Sequence, residues 1–235
     1  PHPAEVLGMK CENYLITSFE EKMKLLSKSG LDFVYVVDFN PEFSTMEAED
    51  FIKDFIYEKF RPSDIIIGYD HFFGKDRKGS YELLKQYQKE LSYQVHRVSK
   101  VKLNNIDIKS SKIRDFIIRG EIVEANSLLG RNFSISGTVI KGRGVGKKLS
   151  FPTANIHISN PAQLIPGNGV YHIDLFIKKD NKTYNSVCNI GIRPTFNDEE
   201  DAVTIEAHIL SEGEFNIYNH DVDLIFKEYI RAEMK

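Results

Sequence analysis

Along the first 130 residues the apolar positions follow two alternating rhythms. Short runs that are apolar at nearly every position, Leu31-Asp32-Phe33-Val34-Tyr35-Val36-Val37 and Asp64-Ile65-Ile66-Ile67-Gly68, predict buried strands. Between them Ser44 and Glu47 have the spacing of a capping box, and Phe51, Ile52, Phe55, Ile56 and Phe60 follow at the i, i+3, i+4 spacing of one helical face. Ser80 stands as the N-cap of a third element, a helix carrying Leu83, Leu84 and Tyr87, and the chain returns as a strand over Tyr93–Val98. A helix opening at Ser110 closes at Gly120, and a last one over Glu121–Leu129 is ended by Gly130. Strands alternating with helices in this way predict a doubly wound, Rossmann-like α/β domain over residues 1–130.

Beyond Gly130 the helical period gives way to two-residue alternation, in Tyr171/Ile173/Leu175/Ile177, Val203/Ile205/Ala207/Ile209 and Val222/Leu224/Phe226. Gly, Pro and Asn clusters separate these runs, which predicts a small antiparallel β-barrel over residues 131–235. In the run around Glu206, alternation sends Val203, Ile205, Ala207 and Ile209 to one face and Thr204, Glu206 and His208 to the other. The polar face is expected to line a ligand site inside the barrel.

Composition narrows the function. With 31 basic and 34 acidic residues among 235, the net charge of −3 sets up no global field for nucleic acid or a membrane surface, so an anionic ligand must be held by local geometry. Cys11 and Cys188 are too few and too far apart for a disulfide framework or a zinc site, which suits a reducing cytoplasm. The longest apolar-looking stretch, Leu31–Phe39, contains Asp32 and Asp38 and falls well short of the ~20 residues of a membrane span. The chain opens at Pro1-His2-Pro3 with neither an initiator Met nor a signal segment, so a piece of a longer polypeptide is expected.

Five segments could carry chemistry. Gly68-Tyr69-Asp70-His71-Phe72-Phe73-Gly74 with Arg77 and Gly79 follows a strand, where open α/β sheets bind ligands; an ordinary glycine-rich turn explains it about equally well. Ser110, Ser111 and Arg114 at a helix start offer hydroxyls, N–H groups and a cation to an anion, although simple capping by Ser110 accounts for the serine. Gly142, Gly144 and Gly146 alternate with Arg143, Val145, Lys147 and Lys148, a pattern that can wrap a polyphosphate or form a basic hairpin. Phe151-Pro152-Thr153-Ala154-Asn155 follows, and Thr153 and Asn155 supply hard neutral oxygens suited to a Mg²⁺ arriving with a nucleotide. Glu206 could take a proton from a substrate hydroxyl, against the alternative of a plain solvent-facing strand residue. Asn189-Ile190-Gly191-Ile192-Arg193-Pro194-Thr195-Phe196 ends a strand in a turn with stacking and hydrogen-bonding groups, or in a β-turn and nothing more.

In their order, Phe151–Asn155, Gly169-Val170-Tyr171, Asn189–Phe196 and Ile205-Glu206-Ala207-His208 resemble the riboflavin kinase series of the bacterial bifunctional riboflavin kinase/FMN adenylyltransferase (FAD synthetase) family. Upstream, Pro1-His2-Pro3, Gly68–Gly74 with Arg77 and Gly79, and Ser110-Ser111 with Ile113-Arg114 resemble its adenylyltransferase half. The resemblance implies a nucleotidyltransferase-like α/β domain that joins AMP from ATP to FMN, giving FAD, and a β-barrel that phosphorylates the ribityl 5′-hydroxyl of riboflavin, both with ATP and Mg²⁺. It further implies ATP phosphates on the Gly142–Lys148 loop, Mg²⁺ on Thr153 and Asn155, and Glu206 as base. Asn189, Arg193 and Thr195 would lie beside the flavin, and His2, Asp70, Arg77, Ser111 and Arg114 in the adenylyltransferase's nucleotide and flavin region.

Two departures from the family pattern qualify these expectations. The Gly-x-Phe-Asp-Gly-x-His-x-Gly-His segment that precedes Pro-His-Pro in the family is not among these residues, so the adenylyltransferase half is expected to be inactive as written. The family also continues past Ile230–Lys235 into a terminal helix, so the kinase half is expected to be shortened. The competing expectation is a flavin- or nucleotide-binding module without catalysis; Thr153, Asn155 and Glu206 together disfavour it, since a pure binder needs no metal site beside a base.

Overall fold

The structure is a computed structural model that describes residues 14–141, 153–193, 202–211 and 215–233, together with Val6 and Gly8. The backbone of Arg193 and Ala202 is described without their side chains. Two compact units emerge, Pro1–Lys10 with Phe33–Ile108, and Cys11–Asp32 with Lys109–Lys235.

In the first unit, β1 (Asp64–Gly68) pairs in parallel with β2 (Gln94–Val98), in a register running from Asp64 opposite Gln94 to Gly68 opposite Val98. The helix Tyr81–Tyr87 joins them, and the Ser80 hydroxyl accepts a hydrogen bond from the Leu83 N–H, as expected of the cap. Ile52, Ile67, Phe73, Leu84, Tyr93 and Val95 form the core of the unit. Within that core the Tyr93 hydroxyl donates to the Leu84 carbonyl at 2.6 Å, which satisfies its one polar atom. A two-residue hairpin of β3 (Lys102–Leu103) and β4 (Ile106–Asp107) turns through Asn104 and Asn105, both left-handed, as a type I′ turn requires.

Two expectations fail in this unit. Leu31–Val37 is not a strand: it enters no ladder among the described residues, and Phe33 is 92% exposed. A run that is apolar on both faces needs a neighbour on either edge, and the one ladder described for β1 goes to β2. Ile66 on β1 is 72% exposed for the same reason. The capping box at Ser44 and Glu47 does not form either. Asn40 caps a short helix Pro41–Ser44, with proline favoured at its first position, and the Ser44 hydroxyl donates back to the Pro41 carbonyl. The expected amphipathic helix starts later, at Ala48, and runs to Phe60 with a π-helical middle, Phe51–Tyr57. That wider turn stacks Phe51 on Phe55, with ring centroids 5.2 Å apart and 18° between planes.

In the second unit six antiparallel strands close a barrel in the order β10-β5-β6-β9-β8-β7. These are β5 (Ser134–Ile140), β6 (Ala154–His157), β7 (Gly169–Ile177), β8 (Lys182–Arg193), β9 (Ala202–Ile209) and β10 (Asp221–Arg231). Its interior is the apolar half of each alternation, including Ile135, Tyr171, Leu175, Cys188, Ile205 and Leu224, all buried. The helix Ser110–Ile118 starts after Lys109, so Ser110 is its first residue and not the expected cap. The following helix, Ile122–Leu129, ends on left-handed Gly130. It belongs with the barrel: the Asn126 amide donates to the Phe226 carbonyl and its oxygen accepts from the Phe133 N–H. On the barrel's outside Asp223, 8% exposed, is held by the Ser136 hydroxyl opposite it and by Lys178 at 3.0 Å and Lys24 at 3.6 Å. Among the described residues no helix is long and apolar enough to cross a membrane.

Candidate functional site

The barrel corrects one expectation directly. Ile205, Ala207 and Ile209 of β9 point into the closed interior, so Thr204, Glu206 and His208 stand on the outer wall. A six-stranded barrel is filled by its own side chains and leaves its lumen no room for a ligand. The polar face can serve a ligand only from outside.

On that outer wall the register aligns what the sequence spaces far apart. Asn155 of β6 lies opposite Glu206 of β9, Glu206 lies opposite Asn189 of β8, and Asn189 lies opposite Val170 of β7. Val170 is in turn paired with Arg231 of β10. Directly opposed residues have Cβ atoms ~5 Å apart, so a carboxylate between two carboxamides is a local property of the sheet. Thr153 stands two residues before Asn155, one residue ahead of β6.

Two hollows flank this row. One, of about 290 Å³, is lined by Thr153, Asn189, Glu206, His208, Arg231 and Glu233, with Val170 and Val187 at its floor. The other, of about 240 Å³, is lined by Asn155, His157 and Thr204 together with apolar side chains, among them Ile140, Ile158, Ile165 and Val203. Thr153 therefore lines the first hollow, and Asn155 the second. The thiol of Cys188, buried on the inward face of β8, is pushed up by its burial and by the Glu206 carboxylate across the sheet.

Among the described residues no group of three or more His, Cys, Asp and Glu side chains could hold a metal. Thr153 and Asn155 give two neutral hard oxygens two residues apart, a donor set that fits Mg²⁺ only when phosphate oxygens and water complete it. Of the other expected kinase residues, Gly142, Gly144, Gly146, Lys147, Lys148, Phe151, Pro152 and Thr195 lie outside the described residues, as does the Arg193 side chain. His208 was expected only as part of the polar face around Glu206, and Arg231 and Glu233 were not among the expected site residues. The signal for the last two was an alternating charged pair, Arg231 and Glu233, closing an apolar strand.

In the first unit, Asp70 and Arg77 follow the carboxyl end of β1. Loss of hydration and then the Asp70 carboxylate hold the Tyr69 hydroxyl above its ordinary range. The Arg77 guanidinium lies over the Phe72 ring at 5.2 Å. Asp76 and Arg77 both adopt left-handed backbone, a strained pair of the kind stored near ligand sites. Ser111 and Arg114 belong to the second unit, where Ser111 is exposed in the first helical turn. Arg114 donates to the Tyr14 carbonyl at 3.0 Å and stacks on its ring at 4.2 Å. His2 lies outside the described residues.

Comparison with known proteins follows the same division. A family described as FAD synthetase matches residues 1–112, and one described as riboflavin kinase matches residues 129–235. The chain is 35% identical to the bifunctional riboflavin kinase/FMN adenylyltransferase of Buchnera aphidicola subsp. Schizaphis graminum, over 99% of this chain and 74% of that protein. To the protein of that name in Listeria monocytogenes it is 32% identical, over 100% of this chain and 73% of the relative. It also superposes on the crystal structure of a macrolide-efflux protein from Streptococcus pneumoniae with a TM-score of 0.87 at 27% identity, covering 99% of this chain and 74% of that one. Both halves match in sequence order, and named relatives align along nearly all of the chain, so it belongs to the bifunctional riboflavin kinase/FMN adenylyltransferase family of flavin cofactor biosynthesis.

Proposed function

We propose that the outer wall of the barrel is the riboflavin kinase site and that Glu206 is its base. The observation that carries this reading is the row Asn155, Glu206, Asn189, which places a carboxylate between two carboxamides at the edge of a polar hollow. Glu206 accepts the proton of the ribityl 5′-hydroxyl as that oxygen attacks the γ-phosphorus of ATP, and ADP leaves. Thr153 and Asn155 hold Mg²⁺, which when bound neutralises charge on the phosphates. The Gly142–Lys148 loop with Phe151 and Pro152 carries the ATP phosphates, and Asn189, Arg193 and Thr195 flank the flavin. Little covalent chemistry is asked of the protein: it positions two substrates and offsets charge.

His2, Asp70, Arg77, Ser111 and Arg114 are assigned to the adenylyl-transfer half, with residues 1–130 as that domain and 131–235 as the kinase domain. The paucity of cysteine and the burial of Cys188 favour the cytoplasm as its compartment.

Parallel incubations with riboflavin, ATP and Mg²⁺ and with FMN, ATP and Mg²⁺, resolved by chromatography, test this reading. FMN from the first is the expected result, and FAD from the second would support the assignment of adenylyl transfer to residues 1–130. Flavin binding with no product in either tube favours a binding module in place of an enzyme.

A further inference from the structure

Gly191 sits on the outer face of β8, two residues beyond Asn189 and opposite Thr204. Its backbone needs no left-handed conformation, so conformational freedom does not explain the glycine. Space does: a Cβ built there falls 2.2 Å from Glu233 Oε1, 2.6 Å from Cδ and 2.7 Å from Oε2. The carboxylate of Glu233 lies flat on the one point of this strand face that has no side chain. It reaches that point because the ladder of β10 on β7 ends with Arg231 opposite Val170, leaving the chain to cross the start of β7 onto β8. Glu233 is exposed, and it lines the hollow that also holds Glu206, Asn189 and Arg231.

We infer that Glu233 is a specificity-determining residue of the kinase reaction, its carboxylate accepting hydrogen bonds from the secondary hydroxyls of the ribityl chain. The inference rests on the reading of this hollow as the acceptor site. Two residues along β8 span roughly 6.6 Å, a distance that a five-carbon polyol bridges. A substrate whose 5′-hydroxyl is at Glu206, beside Asn189, thus extends its remaining hydroxyls towards the Glu233 carboxylate that covers Gly191. Hydroxyl-to-carboxylate bonds are charge-assisted and stronger than neutral ones, which suits a site that must tell a polyol from the bare flavin ring.

The test uses the full chain, with riboflavin and its analogue lumiflavin, which carries the same ring system but a methyl group in place of the ribityl chain. Dissociation constants are read by quenching of flavin fluorescence. Glu233→Ala is expected to weaken riboflavin binding roughly tenfold, to leave lumiflavin binding and the KM for ATP unchanged, and to be partly rescued in Glu233→Gln, which keeps an acceptor. Gly191→Ala is expected to reproduce the loss in the wild-type background and to add nothing in the Glu233→Ala background. An equal loss for lumiflavin, a changed KM for ATP, or additive effects of the two substitutions would each overturn the inference. Glu206→Gln is carried in parallel: if it keeps full turnover the assignment of the base fails, while the binding constants still decide the role of Glu233.

Discussion

Thr153 and Asn155 show what a single residue contributes to this site. They offer neutral oxygens, so a metal held there depends on the nucleotide for most of its ligands. Asn155→Ala is expected to raise the Mg²⁺ concentration for half-maximal FMN synthesis by about tenfold while leaving riboflavin binding in the absence of ATP unaltered; an unchanged Mg²⁺ requirement would remove Asn155 from the metal site. Cys188 illustrates the opposite case. Its thiol is buried and held far from ionisation, so it is expected to resist alkylation at neutral pH until the barrel unfolds, as thiol titration with and without denaturant would show. Much of this scale was legible in the sequence: the alternation around Glu206 assigned its face correctly relative to Ile205 and Ala207. What it could not assign was inside or outside, because period-two alternation separates two faces without saying which one a closed sheet turns inward. Glu233 escaped for another reason, since its place depends on a steric vacancy at a residue 42 positions earlier, Gly191.

Among the elements, two helices were read correctly to their ends, whereas the equally local capping box at Ser44 and Glu47 and the cap at Ser110 did not form. The helix Tyr81–Tyr87 formed with its serine cap, and Ile122–Leu129 ended on its glycine. One element that depends on a partner was not: Leu31–Val37 has a strand's composition and no ladder among the described residues, since composition carries no information about the neighbouring edge. Two measurements belong here. Burial pushes the Tyr93 hydroxyl up to about 12, from an ordinary value of 10. The folded state keeps this proton where the unfolded state releases it, so the contribution to stability is complete below pH 10 and is lost as pH rises towards 12. Denaturant titrations followed by circular dichroism from about pH 9 to about pH 12 are expected to show that decline, and Tyr93→Phe to lessen it at a cost of about 1 kcal/mol near neutrality. In the barrel unit, Asp223→Ala removes the buried acceptor shared by Ser136 and the two lysines and is expected to cost about 1–3 kcal/mol. A variant as stable as the parent would show that the cluster is incidental.

For the whole molecule, the expected succession of an α/β half and a barrel is the architecture found, with the two helices of residues 110–129 folded into the barrel unit. Class was legible because it depends on which period dominates a long stretch. The closure of six strands in the order β10-β5-β6-β9-β8-β7 was not, because pairing order is a property of the sheet and of no strand alone. That order is also what creates the site: it sets β6, β9 and β8 side by side and so brings Asn155, Glu206 and Asn189 into one row. The measurement that tests this most directly compares the parent chain with Glu206→Gln, reading kcat for FMN formation beside the dissociation constant for riboflavin. If Glu206 is the base, kcat falls by roughly 10²–10⁴-fold with riboflavin binding retained. Full turnover in the glutamine variant would contradict it, and would move the kinase chemistry away from the row on the barrel's outer wall.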